Sequence, residues 1–133
     1  MAARPFVDTN VLLYLLSDDA AKADRAEALL ADRIVISVQV LNEFANVALR
    51  KLKLEWPEIV QILADIRRFA GVEALTITTH DRGATLARRY QLSLHDAMIA
   101  AAALEAGCTT LWSEDFQSGQ RLDGRLTIRN PFV

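Results

Sequence analysis

The chain has 133 residues, 52% hydrophobic and 24% charged, with a formal net charge of −2. This composition suits one globular domain over residues 1–133, long enough for a real core, and excludes a disordered chain. The acidic balance excludes a bulk electrostatic nucleic-acid binder but not an enzyme that meets phosphate through a metal.

Phe6-Val7 reads as a first, central strand ending on Asp8, and Val11 to Leu16 as a short helix behind it. Ser17-Asp18-Asp19 is a solvated turn before a second helix, Ala21 to Leu30. Ile34-Val35-Ile36 is a second buried strand, with Ser37 able to cap the helix through Leu41 to Leu49. Trp56-Pro57 restarts the chain, with proline suited to a first helical turn. Ile59, Ile62, Leu63, Ile66 and Phe69 then recur at helical spacing until Ala70-Gly71. Ala74 to Ile77 is expected as a third strand, followed by a helix to Tyr90 capped by Thr79 or Asp81. Ser93 starts a helix from His95 to Ala106, which Gly107 stops. Thr110 to Trp112 is a fourth strand and Leu126 to Ile128 a fifth. Strands alternating with helices imply an α/β fold, a parallel sheet between two helical layers.

The single cysteine, Cys108, rules out an internal disulfide framework and a cysteine-rich zinc site. It reads as a small buried apolar residue. No basic-then-apolar leader opens the chain, so the expected location is the cytoplasm, with no membrane partner.

Four acids stand out by position. Asp8 ends the first strand, and Glu43 lies beside the apolar stripe of its helix. Asp96 opens a helix with no polar residue from Ala97 to Leu104, and Asp115 follows the fourth strand. Parallel topology brings all four to the carboxyl edge of the sheet, where open α/β sheets bind ligands. One carboxylate pair 4 Å apart repels by about 4 kcal/mol at an effective dielectric of about 20. A divalent cation relieves that, and oxygen ligands with no Cys or His cluster select Mg²⁺ or Mn²⁺. Each acid also has a plainer role: Asp8 and Asp96 as caps, Glu43 paired with Arg50 or Lys51, Asp115 as a turn residue. Thr9, Asn10 and Ser113 suit orientation of the acids, with caps and turn bonds as the alternative. Glu114 could replace or assist Asp115. His95 reads as a capping or packing residue, and Trp112 as core. Arg67-Arg68, Arg88-Arg89, Arg50, Lys51 and Lys53 read as exposed helix faces.

Four blocks of the chain resemble the PIN-domain nucleases, most strongly the toxins of VapBC-type toxin–antitoxin pairs. They are Phe6-Val7-Asp8-Thr9-Asn10-Val11-Leu12, Leu41-Asn42-Glu43-Phe44, Leu92 through Ala102 and Leu111-Trp112-Ser113-Glu114-Asp115-Phe116. The terminal Asn130-Pro131-Phe132 is similar as well. The resemblance implies a PIN-like α/β/α sandwich with about five parallel strands in the order 3-2-1-4-5. It implies that Asp8, Glu43, Asp96 and Asp115 hold Mg²⁺ or Mn²⁺ and catalyse, with Asn10 and Ser113 at the family's small polar positions. The implied activity is RNA hydrolysis by an activated water, leaving 5′-phosphate and 3′-hydroxyl ends. The implied partners are an RNA substrate, a cognate antitoxin protein and a second copy of the chain in a homodimer.

Two other functions are compatible with such a chain. One is a non-catalytic PIN-like module that binds RNA or protein; a full set of acids argues against it. The other is a phosphatase or receiver-type phospho-acceptor with Asp8 as nucleophile. Asp8-Thr9-Asn10 lacks the second aspartate such phosphatases use, and no lysine stands beside a late strand.

Overall fold

The apolar residues of Phe6-Val7 and Ile34-Val35-Ile36 have almost no exposed surface, and they lie side by side. A computed structural model describes residues 3–133; Met1 and Ala2 of the expected domain lie outside it. Its strands are β1 (Phe6–Val7), β2 (Ile34–Ser37), β3 (Ala70–Glu73), β4 (Thr110–Trp112), β5 (Arg121–Leu122) and β6 (Leu126–Arg129). They form one sheet in the order β3-β2-β1-β4-β6-β5. All pairs are parallel except β5 with β6. Phe6 pairs with Val35 on one side and Leu111 on the other, so β1 is central as expected. The implied order 3-2-1-4-5 holds, with β6 in the fifth place. β5 is an addition: a two-residue strand is too short for an alternation signal.

The helices are α1 (Thr9–Leu12), α2 (Ala20–Leu30), α3 (Val38–Arg50), α4 (Trp56–Arg67), α5 (Ile77–Tyr90) and α6 (Leu94–Glu105). The helix expected from Val11 to Leu16 is divided: α1 passes into a 3₁₀ turn at Leu13–Leu16. In α6, Ala97 and every residue from Ile99 to Leu104 is buried, which matches its lack of polar groups. Leu111, Leu126 and Ile128 complete the core from β4 and β6. Cys108 is buried there, and burial, with Glu73's charge adding, pushes its thiol up to about 11. Among the described residues no helix is long and apolar enough to cross a membrane.

Four expectations need correction. The third strand is not Ala74 to Ile77 but β3, at Ala70–Glu73. Phe69 continues the apolar spacing of α4, yet the helix ends at Arg67 and Phe69 is 47% exposed. β3 is an edge strand of half-exposed residues, so it lacks the apolar run that marks a buried strand. Ile77, which looked like strand core, opens α5 and is 74% exposed. The cap of α5 is Thr76, not Thr79 or Asp81: its hydroxyl accepts from Thr79 N–H, and Thr79 Oγ1 accepts from Thr76 N–H. Asp19 is more than a solvated turn, since it caps α2 by accepting from Lys22 N–H. Trp112 is half-buried rather than core, with the Arg25 guanidinium 5.4 Å from its ring.

Two long-range clamps hold the periphery. Phe132 meets Tyr14 edge-on at 4.6 Å between centroids, and Arg25 Nε donates to the Pro131 carbonyl. The β5–β6 turn is tied to α5, where Tyr90 Oη accepts from Asp123 N–H at 2.7 Å and Arg89 pairs with Asp123.

Gly83 of α5 packs against α6, where an added Cβ would lie 2.6 Å from Met98 Sδ and 3.4 Å from Met98 Cγ. Gly83→Val should force Met98 out of its place and cost about 1–3 kcal/mol. Chemical denaturation of the two proteins measures it; equal midpoints would show the contact to be slack.

Candidate acidic site

β1 ends inside the sheet, so Asp8 leaves the strand as a buried residue, 2% exposed. Its backbone N–H still donates to the Trp112 carbonyl, which ties the end of β1 to the end of β4. Asp8 is also the cap of α1: Oδ1 accepts from Thr9 N–H at 2.7 Å. Oδ2 accepts from Ser113 Oγ at 2.8 Å. Capping and membership of the acid cluster are therefore not alternatives; the two oxygens divide the work.

Ser113 is buried and links three partners. It donates to Asp8, accepts from Asp115 N–H at 3.1 Å, and lies 3.4 Å from Asn10 Nδ2. Asn10 Oδ1 in turn accepts from Glu114 N–H at 3.3 Å. Asn10 and Ser113 thus hold the loop carrying Asp115 against the end of β1, as their expected orienting role requires. Thr9 is buried, but its hydroxyl finds no hydrogen-bond partner among the described residues. The same is true of Ser37, which stands at the cap position of α3 without making the expected side-chain bond.

The other acids arrive from α3, α6 and the loop after β4. Glu43 lies two turns into α3 and is half-buried. It does not pair with Arg50 or Lys51; His95 Nε2 lies 2.8 Å from its Oε1, and Gln39 Nε2 donates to the same oxygen at 3.3 Å. Asp96 is in the first turn of α6, and its N–H donates to Ser93 Oγ at 3.1 Å, the expected cap. Asp115 is exposed. Glu114 lines a separate groove with Asn10, Leu13, Tyr14, Val47 and Leu52, beside the acids rather than among them.

Electrostatics show the convergence. Burial pushes the Asp8 carboxyl up to about 6, against the lowering pull of Ser113 and Thr9 N–H, and the charges of Asp115 and Glu43 add to the rise. Glu43 is raised by burial and by Asp115, with His95 and Gln39 opposing. Asp96 is raised by burial and then by Asp115, with His95 and Ser93 opposing. Asp115 is thus the common neighbour of all three. The four carboxylates share one field, but no three His, Cys, Asp or Glu groups among the described residues already stand as a closed ligand set. Their chemistry, four oxygen-donor carboxylates, fits a hard divalent cation.

Two residues at this site were not expected there. His95, expected as a cap or packing group, instead bridges to Glu43. Gln39 carried no expectation, although its spacing of four from Glu43 on one helix is a pairing signal.

A family model described as PIN domain matches residues 6–120. The chain belongs to the PIN-domain family. Several solved structures share this PIN fold. VapC20 of Mycobacterium tuberculosis, described as a Sarcin-Ricin loop cleaving toxin, is 22% identical with a TM-score of 0.68, covering 85% of this chain and 91% of that one. A toxin–antitoxin complex from Klebsiella pneumoniae is 20% identical, TM-score 0.71, with 97% and 98% covered. DNA-bound VapBC from Salmonella typhimurium is 21% identical, TM-score 0.70, with 97% and 98% covered. No curated protein matches the chain in sequence. Within this PIN domain the four acids expected from the sequence all lie at the carboxyl edge, just after β1, on α3, on α6 and on the loop after β4.

The raised Asp8 carboxyl sets a pH dependence. The unfolded chain releases that proton near 3.8 and the folded chain near about 6. Between those values the folded form holds more protons, so metal-free stability falls as pH rises through this window. The full loss is about 3 kcal/mol for one such group. Asp8→Asn should remove most of that slope and stabilise the metal-free protein at neutral pH, as denaturant titrations across the window would report. Ser113→Ala should raise the Asp8 carboxyl further, because it removes the strongest lowering contact. Carboxyl-carbon NMR titration reads this directly; an unchanged or lower midpoint would contradict the assignment.

Proposed function

We propose that this chain is a metal-dependent endoribonuclease, the toxin of a type II toxin–antitoxin pair. The observation that carries the reading is the placement of Asp8, Glu43, Asp96 and Asp115 at one carboxyl edge of the sheet, where burial first and then the charge of Asp115 raise the other three carboxyls. Four carboxylates offset by a single imidazole, His95 beside Glu43, gain as a group when a cation joins them. Asp8, Glu43, Asp96 and Asp115 would hold Mg²⁺ or Mn²⁺. A bound ion supplies charge neutralisation at the scissile phosphate and a lowered pKa for the attacking water. Asp8 is placed to anchor, because both its oxygens are already fixed in direction by Thr9 and Ser113. Asp115, exposed and hinged on Ser113, is placed to adjust. Hydrolysis of this kind does not use the 2′-hydroxyl, so preference for RNA would come from shape and contacts.

The fold likeness to VapC20 and to two VapBC-type complexes supports the toxin reading and an antitoxin partner. A homodimer and a cytoplasmic location belong to the same reading. The alternative is a non-catalytic PIN module that binds RNA or protein, and one observation favours it: the acids do not yet form a ligand set.

Incubation with total RNA, with and without Mg²⁺ or Mn²⁺, separates the two. Cleavage should require the ion and leave 5′-phosphate ends. Asp8→Asn and Asp96→Asn should each reduce it by more than about a hundredfold while melting cooperatively. Cleavage at wild-type rates by either variant would sink the proposal, and no Mn²⁺-dependent thermal shift would favour the binding module.

A further inference from the structure

Glu43 has a long side chain, yet it is aimed. One of its oxygens, Oε1, lies 2.8 Å from His95 Nε2 and 3.3 Å from Gln39 Nε2. The other, Oε2, has no hydrogen-bond partner among the described residues. Gln39 does more than touch Glu43. Its Nε2 also lies 3.1 Å from the His95 carbonyl and 3.3 Å from His95 Nδ1. The carbonyl and the carboxylate can only accept, so the amide nitrogen must face them and donate. The carboxylate can only accept from the ring as well, so His95 Nε2 carries a proton directed at Glu43. One glutamine thus holds both the carboxylate and the residue that donates to it, and joins the first turn of α3 to the first turn of α6, which carries Asp96.

We propose that Gln39 is a positioning residue of the acidic site: by fixing Glu43 through Oε1, directly and through His95, it leaves Oε2 turned to the cation that the acids share. This inference rests on the metal-dependent reading above. Holding the carboxylate in advance spares the ion the cost of freezing the side chain. Outer partners of this kind typically change metal affinity by about 10–100-fold.

The test uses the whole chain and Mn²⁺ alone, followed by calorimetry, with metal-free melting and RNA cleavage kinetics alongside. Gln39→Met keeps length and stem but removes the donor. Gln39→Met should weaken Mn²⁺ binding about tenfold or more, leave metal-free melting near wild type, and lower kcat with little change in KM for RNA. Wild-type Mn²⁺ affinity in Gln39→Met overturns the inference and leaves the nuclease reading intact. A wild-type chain that takes up no Mn²⁺, or an Asp8→Asn chain that takes it up equally, overturns both.

Discussion

A carboxylate stands at the end of the central strand with almost no access to water, and the site is arranged around that fact. Water would otherwise supply the solvation that Asp8 lacks. In its place Thr9 N–H and Ser113 Oγ each bind one oxygen. Both donors come from elements that must be there for other reasons: Thr9 begins α1, and Ser113 follows β4. The same serine then accepts from Asp115 N–H, so the group that solvates the buried acid also places the exposed one. Two donors do not fully offset burial, as the raised carboxyl shows. That residual demand for positive charge is what the proposed cation would meet.

The parallel sheet explains why such a demand arises here. Strands β1, β2 and β4 end together, and α1, α3 and the loop after β4 leave from the same edge. α6 begins there because it must return the chain to the start of β4. Four distant segments can therefore each deliver one carboxylate to a single place. The β4–β6 pair holds the start of the Asp115 loop, since Ser113 N–H donates to the Arg129 carbonyl, and the added β5 extends the sheet on the side away from β3.

The four acids were legible because each follows a strong local signal. Asp8 and Asp115 end apolar strands, Glu43 interrupts an apolar stripe, and Asp96 heads an apolar helix. β3 was not legible because an edge strand is only partly buried, and Ala70-Gly71 looks like a helix stop. Thr76 was overlooked as a cap because Leu75 and Ile77 on either side suggested a strand. Gln39 and His95 are polar residues whose roles depend on a contact across 56 positions, and no periodicity encodes such a contact. The sequence therefore displays the charged groups well and the groups that orient them poorly.

Cys108 carries a different consequence. It lies just after α6, near the start of β4, under the core, and its thiol is pushed up to about 11. Nucleophilic sulfur is the thiolate, and here it is both scarce and screened from solvent. The chain's only thiol is thereby insulated from oxidants and alkylating reagents while the fold is closed. Its reactivity becomes a clock for opening of the region where α6 meets β4, the segment that delivers Asp96 at one end and Asp115 at the other.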